Sequence, residues 1–265
     1  MNRYGVCGGF VEESRPHREK RTGRAERLID AAIARLEHDS SRAMFIYMHL
    51  MEPHSPYNLG GKWGTPYQRY VREVGIAGRE IQRLDRALTK LGLADRLVLM
   101  VGADHGEAFG EHNTKHHGLT MYEELLWVPL LIRVAGVQPR RVDRRVSLTD
   151  LGSTILDLMG VATPATFLGQ SLVPYLRGED VELERPLVAE SGRYLQVMYF
   201  ADGTKAIFDR RQGVRELYDL EAEPGELHNL YDDRIPSVTA RVDMLQAFFD
   251  RHTLVREGYT VPCRR

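Results

Sequence analysis

Apolar residues recur along this chain in two rhythms. From Arg24 to His38 they fall at Leu28, Ile29, Ala32, Ile33 and Leu36, the spacing of one helical face. From Tyr70 to Leu91 they fall at Val71, Val74, Ile81, Leu84, Leu88 and Leu91, with Arg, Glu and Asp between them, which predicts a second amphipathic helix. Short apolar runs predict buried strands at Ala43–Leu50, Arg96–Gly102 and Val128–Val134. Met51–Gly61 holds two prolines and two glycines and reads as a loop, and Glu107–Gly118 is a longer polar one. A short helical stretch is expected near Tyr122–Leu126. Ser147-Leu-Thr-Asp150 opens a further helix through Met159, with Ser147 or Thr149 as its cap and Gly160 as its stop.

After about Gly178 the rhythm changes. Pro186–Glu190, Tyr194–Phe200, Lys205–Phe208 and Arg215–Leu220 predict short strands, separated by turns such as Asp202-Gly203 and Gln212-Gly213. A last amphipathic helix is expected from Pro236 to His252. The fold class is therefore α/β, with a mainly parallel sheet flanked by helices. The expected organisation is an α/β core over 1–180 and a small carboxyl-terminal subdomain over 181–265, an antiparallel sheet plus one helix. Residues 1–22, glycine-rich and then basic, have no periodicity and read as an irregular entry.

Composition narrows the function classes. Apolar residues make up 43% and charged residues 28%, ordinary values for a soluble globular protein. Thirty-six basic against 37 acidic residues give a net charge of -1, which argues against nucleic-acid binding. The longest apolar runs fall far short of the about 20 residues that a membrane span needs. The apolar stretch after Met1 is broken by glycines and followed by Glu12, Glu13 and Arg15, so no signal peptide is expected and the cytoplasm is the default location. Cys7 and Cys263, at opposite ends of the chain, make neither a disulfide framework nor a thiolate zinc site.

The candidate chemistry lies at strand ends, where open parallel sheets bind their ligands. The first predicted strand delivers His49, Glu52 and His54; the second delivers Asp104, His105 and Glu107. The loop after it adds Glu111, His112, His116 and His117. Asp104-His105 presents a carboxylate and an imidazole from one strand end, donors suited to Ca²⁺, Mg²⁺, Mn²⁺ or Zn²⁺; the competing reading is an Asp that caps the next turn beside a solvated His. In Glu52-Pro-His54-Ser-Pro-Tyr57 the prolines stiffen the loop and aim His54, which could donate a proton or bind an oxyanion. His49, inside the run, reads as a buried, hydrogen-bonded histidine. His112 reads as solvated, and Lys115-His116-His117-Gly118 is a weaker signal alone.

In their order, these motifs resemble the sulfatase family of the alkaline-phosphatase superfamily. Phe45 to Tyr57 is similar to the family's strand and its Asp-Pro-His-x-Pro-Tyr loop, with Glu52 in place of the Asp. Leu99 to His112 matches the Ser-Asp-His-Gly-Glu-x-x-Gly-Glu-His stretch, and His117–Glu123 with Trp127–Leu130 matches the block that leads into the next strand. Ser147–Gly160, Gly169–Leu172 and Glu216–Leu230 match three later blocks. The resemblance implies that Asp104 and His105 ligate a catalytic divalent ion, with Ca²⁺ favoured and Mn²⁺, Mg²⁺ or Zn²⁺ as alternatives. It implies that His54 contacts the transferred sulfuryl or phosphoryl group or protonates the leaving oxygen. His117 stands where many members carry a substrate-binding Lys or a His; it would bind the oxyanion or, with Glu52 or His54, join a second metal site.

The family also carries a first strand with one or two metal-binding Asp residues. A nucleophile follows in a Cys/Ser-x-Pro-x-Arg signature, well over a hundred residues ahead of the His54 block. Here 53 residues precede His54, and Cys7 is followed by Gly-Gly-Phe-Val. The expectation is the carboxyl-terminal half to two-thirds of a sulfatase-like enzyme, without a central strand and the nucleophile. Its substrate would be a small-molecule sulfate ester, or a phosphoric or phosphonic ester in the alternative. An inactive relic, or one half of a split enzyme whose partner is a separate amino-terminal chain, are the other readings.

Overall fold

Residues 25–192 and 194–252 are described by a computed structural model; Cys7, Cys263 and the expected entry segment 1–22 lie outside them. The chain divides into two compact units, one ending at Leu97 and the other beginning at Val98.

The first unit is a helix pair. Helix α1 (Ala25–His38) and helix α2 (Pro66–Lys90) meet through Ile29, Ala32 and Leu36 on one side and Leu84 and Leu88 on the other, with Leu93 closing the core. These are the periodic positions that predicted the helices. Helix α2 starts four residues earlier than its apolar stripe, because Thr65 and Gln68 form a reciprocal capping box and Pro66 occupies the first turn.

The strand expected at Ala43–Leu50 does not form. Met44 and Met48 pack on the helix pair, while Phe45, Ile46 and Tyr47 are exposed, Phe45 to 54%. An apolar run signals burial, but a strand also needs a neighbour to bond its backbone, and 43–50 has none among the described residues. His49, expected to be buried, is exposed for the same reason.

The second unit opens with strand β1 (Val98–Gly102), then a two-residue hairpin of β2 (Ala108–Phe109) and β3 (Lys115–His116), the short helix α3 (Glu123–Leu126) and strand β4 (Leu130–Val134). Strands β1 and β4 pair antiparallel, Val98 opposite Val134 and Gly102 opposite Leu130. No parallel ladder forms among the described residues. The reason is the connection: a hairpin and one helical turn return the chain beside β1 without the crossover that parallel pairing requires. Neither strand is fully buried, and Leu131 is exposed.

Helices α4 (Asp150–Leu158) and α5 (Val173–Arg177) follow. Ser147, one of the two expected caps, caps α4: its Oγ accepts the backbone N–H of Thr149 at 3.2 Å. The buried Asp150 answers it, accepting the backbone N–H of Ser147 at 2.8 Å; it also accepts that of Gln170 at 3.0 Å and pairs with Arg185 through two guanidinium nitrogens. A Cβ on Gly169 would overlap the carbonyl oxygen of Thr149, so the Gly169-Gln-Ser171 segment can lie this close only without a side chain.

Strands β5 (Leu187–Ser191), β6 (Leu195–Tyr199), β7 (Thr204–Asp209) and β8 (Val214–Asp219) form an antiparallel meander, as the turn signals predicted. Alternate residues face opposite sides. Met198, Ala206, Phe208 and Leu217 pack under Val242, Leu245, Phe248 and Phe249 of helix α6 (Pro236–His252). On the other face Leu195, Val197, Ile207 and Tyr218 cover Met121, so the sheet is buried on both sides. No described helix is long and apolar enough to cross a membrane.

Candidate active site

The sharpest sequence signal stands just beyond the carboxyl end of β1. Asp104 is exposed, and its Oδ1 accepts the backbone N–H of His105 at 3.1 Å. His105 Nδ1 lies 2.7 Å from the carbonyl oxygen of Gly106, a contact that places its proton there and the lone pair on Nε2. That Nε2 is 3.9 Å from Asp104 Oδ1. Gly106 is fixed in turn: its N–H donates to Leu125 O at 2.8 Å, and a Cβ would overlap the carbonyl oxygen of Glu124.

His117 joins this pair. Its ring lies 4.0 Å from that of His105, tilted by 31°. Its Nδ1 is 3.2 Å from Oε1 of Glu107, whose side chain is only 4% exposed. Glu107 thus orients His117 from behind, a role that spacing alone did not reveal.

The remaining residues of the loop are structural. Glu111 accepts the backbone N–H of Phe109 at 2.6 Å, a bond that holds its carboxyl below the usual range. His112, expected to be solvated, is wedged inside. Its ring stacks on Tyr122 at 3.7 Å, Nδ1 meets Glu124 at 2.9 Å, and Nε2 meets the carbonyl oxygens of Gly225 and Glu226 at 3.1 and 3.2 Å. With an acceptor on each nitrogen, the doubly protonated ring is favoured. Burial opposes the charge, but the Glu124 carboxylate and the Glu226 contacts outweigh it and raise the pKa. Sequence spacing could not have shown this, since the acceptors on Nε2 lie more than a hundred residues away. Lys115 and His116 are exposed.

A buried ionic cluster braces the same region and went unread in the sequence. Lys205, fully buried in β7, contacts Glu123 at 3.0 Å and Glu226 at 2.8 Å; Tyr199 donates to Glu123 at 2.6 Å, and Glu226 accepts the Glu123 N–H at 2.7 Å. It pins the start of α3, and with it the Leu125 carbonyl that holds Gly106.

In the first unit, His54 is exposed, and its Nδ1 lies 2.8 Å from the carbonyl oxygen of Ser55. The loop is anchored by Tyr57, buried edge-on against Tyr70 at 5.9 Å, and by Glu73, which accepts the Leu59 N–H at 2.7 Å. Burial pushes the Glu73 carboxyl up. Glu52 is buried, and both its oxygens accept the N–H of Ala25, at 2.9 and 3.0 Å, which caps α1.

The Asp104–His105 pair fits a divalent ion as two ligands. Metal bonds of about 2.0–2.6 Å to each donor can bridge the observed separation. The carbonyl behind His105 supplies the orientation that a metal-bound imidazole usually has. Among the described residues no group of three or more His, Cys, Asp or Glu could hold a metal ion.

A family model for sulfatases matches residues 10–161, more than half of the chain. The chain belongs to the sulfatase family. This family member is 29% identical over 181 residues to the Delta 4,5-hexuronate-2-O-sulfatase of Bacteroides thetaiotaomicron, a match covering 63% of the chain and 36% of that relative. Among solved structures it is similar to a 2-O GAG sulfatase, with TM-score 0.58 and 22% identity over 74% of the chain and 45% of the other. It is also similar to a phosphonate monoester hydrolase of Silicibacter pomeroyi, with TM-score 0.59 and 24% identity over 71% and 40%. These likenesses show the alkaline-phosphatase-like α/β fold. The chain spans well under half the length of the curated relatives it matches.

One correction concerns the family's nucleophile signature. Ser14-Arg15-Pro16-His17-Arg18 has the residue types of Ser-x-Pro-x-Arg. It lies outside the described residues and within the stretch that the sulfatase family model matches.

Proposed function

We propose that this chain supplies the metal- and oxyanion-binding part of a metal-dependent hydrolase of sulfuric esters. The observation that carries the reading is the Asp104 carboxylate 3.9 Å from His105 Nε2, with the His117 ring packed on His105. Asp104 and His105 hold the ion, Ca²⁺ by the family resemblance. When bound, such an ion polarises the ester oxygen and stabilises developing charge. His117, its ring held at Nδ1 by Glu107, contacts a sulfuryl or leaving oxygen. His54 contacts the transferred group or protonates the leaving oxygen. Glu52 is given to helix capping, and no second metal site is placed on it.

The substrate is a small sulfate ester on a sugar ring, a class supported by the hexuronate sulfatase relative. A phosphoric or phosphonic ester is the second reading, supported by the fold likeness to the phosphonate monoester hydrolase.

The nucleophile and the remaining metal ligands come from outside the described residues, from an amino-terminal part carrying the family's first strand. The exposed Ile46 and Tyr47, on a run with no strand neighbour among the described residues, support this. The test is turnover of 4-methylumbelliferyl sulfate and phosphate with Ca²⁺ or Mn²⁺ by the purified chain, its Asp104→Ala and its Ser14→Ala variants. The chain alone is expected to show none, since among the described residues no nucleophile of the family signature stands at the site. Co-expression with an amino-terminal sulfatase segment is expected to bring metal-dependent sulfate turnover that Asp104→Ala abolishes. Turnover by the chain alone, lost in Ser14→Ala, would place the nucleophile on Ser14. No turnover in any combination would mark the chain as an inactive relic.

A further inference from the structure

Glu226 lies beyond β8, yet two of its contacts run back to the segment around the metal pair. Its Oε2 accepts the backbone N–H of Glu123 at 2.7 Å, across 103 positions of sequence. Its carbonyl oxygen lies 3.2 Å from His112 Nε2, and the other nitrogen of that ring lies 2.9 Å from the Glu124 carboxylate. Residue 226 therefore holds α3 twice, once directly and once through His112.

A helix this short needs such help. Helix α3 has four residues, a single turn, and one turn is not stable alone. Tyr122, at its N-cap position, makes no side-chain cap bond. The first backbone N–H of the turn goes to Glu226 instead, and an ionised acceptor makes the stronger bond. Glu226 meets this need against two costs. Its carboxylate is buried, and its backbone is left-handed, at φ 51°, where glycine fits and a side chain is strained. Lys205 Nζ, 2.8 Å from Oε1, offsets the buried charge. A strained backbone kept at a buried polar residue points to a role for that side chain.

What α3 carries supplies the role. Its Leu125 carbonyl accepts the Gly106 N–H at 2.8 Å, and the Gly106 carbonyl faces His105 Nδ1 at 2.7 Å. Gly106 thus ties His105 to α3. A shift of α3 would move the acceptor that keeps the His105 proton on Nδ1 and the lone pair on Nε2.

We infer that Glu226 is a positioning residue for the metal pair: by capping α3 it fixes the Leu125 and Gly106 contacts that orient the His105 ring beside Asp104. This rests on the proposed function and deepens it, because it gives the carboxyl-terminal part of the chain a share in metal binding through α3 rather than as a ligand.

The full chain is compared with Glu226→Ala, Glu226→Gln and a control, Val242→Ala, which loosens α6 on the face of the sheet away from Met121. Two quantities are read. One is the His105 tautomer, from long-range ¹H–¹⁵N spectra of the metal-free chain. The other is the dissociation constant of Mn²⁺, from the electron paramagnetic resonance of the free ion. Wild type is expected to carry the proton on Nδ1. Glu226→Ala should lose that preference and bind Mn²⁺ about tenfold more weakly, the low end of what losing a partner behind a metal ligand costs. Glu226→Gln keeps an oxygen for the Glu123 N–H, and it and Val242→Ala should both stay within about threefold of wild type, well inside that range.

An unchanged tautomer and Mn²⁺ affinity in Glu226→Ala would overturn the positioning role, as would a wild-type ring protonated on Nε2. Equal losses in Val242→Ala would also overturn it and trace the effect to general loosening. Equal losses in Glu226→Gln would overturn it and trace the effect to the charge beside Lys205. If Glu226→Ala does not fold, Glu226→Asp takes its place under the same criteria: it keeps the charge and draws the carboxylate back by one methylene. A wild-type chain that binds no Mn²⁺ would remove the proposed metal site, and the tautomer comparison would still decide whether Glu226 positions His105.

Discussion

The ring of His117 lies 4.0 Å from the ring of His105, with the nearly buried Glu107 behind it. Two imidazoles so close would repel if both were charged. Their second contacts separate their roles: His105 gives Nδ1 to a backbone carbonyl, His117 gives Nδ1 to a carboxylate. The first leaves a lone pair suited to a metal; the second fixes the ring of His117 from behind.

The tautomer of His117 follows from that contact. Long-range ¹H–¹⁵N spectra at neutral pH should show its proton on Nδ1, against the Nε2 preference of free imidazole. Glu107→Ala removes the acceptor and should return the ring to the Nε2–H form. An Nε2–H tautomer in the wild type would refute the orienting role.

His112 predicts a pH dependence of stability. Its folded pKa is raised above the unfolded value of about 6.5 by Glu124 and Glu226, against the cost of burial. The stabilisation is therefore fully present below the unfolded pKa and is lost as pH rises through the folded one. Charge-assisted bonds contribute about 1.5–3 kcal/mol, so His112→Ala should lower stability by about that much at pH near 6. The difference between variant and wild type should narrow by pH near 9. A constant difference across this range would show that packing on Tyr122, not charge, is what matters.

Lys205 is the buried cation between Glu123 and Glu226. Lys205→Met leaves two carboxylates without it and should cost about 3–5 kcal/mol in urea unfolding. Burial already raises the Glu226 carboxyl, with Lys205 pulling it back down. Adding Glu226→Gln to Lys205→Met should therefore recover part of the loss. A double variant no better than the sum of the singles would show that the three groups do not act as a unit.

Much of this fold was legible where periodicity carries it. Ile29, Ala32 and Leu36 face Leu84 and Leu88 as the helical spacing required, and the turns at Asp202-Gly203 and Gln212-Gly213 join strands of the expected meander. Pairing was not legible. The run at Ala43–Leu50 has strand composition but no neighbour among the described residues, and β4 returns antiparallel because only the connection, not the strand, determines direction. In the site, Asp104 and His105 were visible because they are adjacent at a strand end. Glu107 behind His117, and His112 bridging Glu124 to residues 225 and 226, depend on folding of the intervening loop. Lys205 was hidden because a lysine in a strand reads as exposed until its two carboxylates are found.

The metal half-site can be tested most directly with a paramagnetic probe. Mn²⁺ is titrated into the full chain while the imidazole ¹H–¹³C signals of its histidines are followed. Early, selective broadening of His105 and His117 is expected, at Mn²⁺ levels that leave His228 and His252 sharp, and it should disappear in Asp104→Ala. Broadening that spares His105, or that persists unchanged in Asp104→Ala, would contradict a divalent-ion site built on Asp104 and His105.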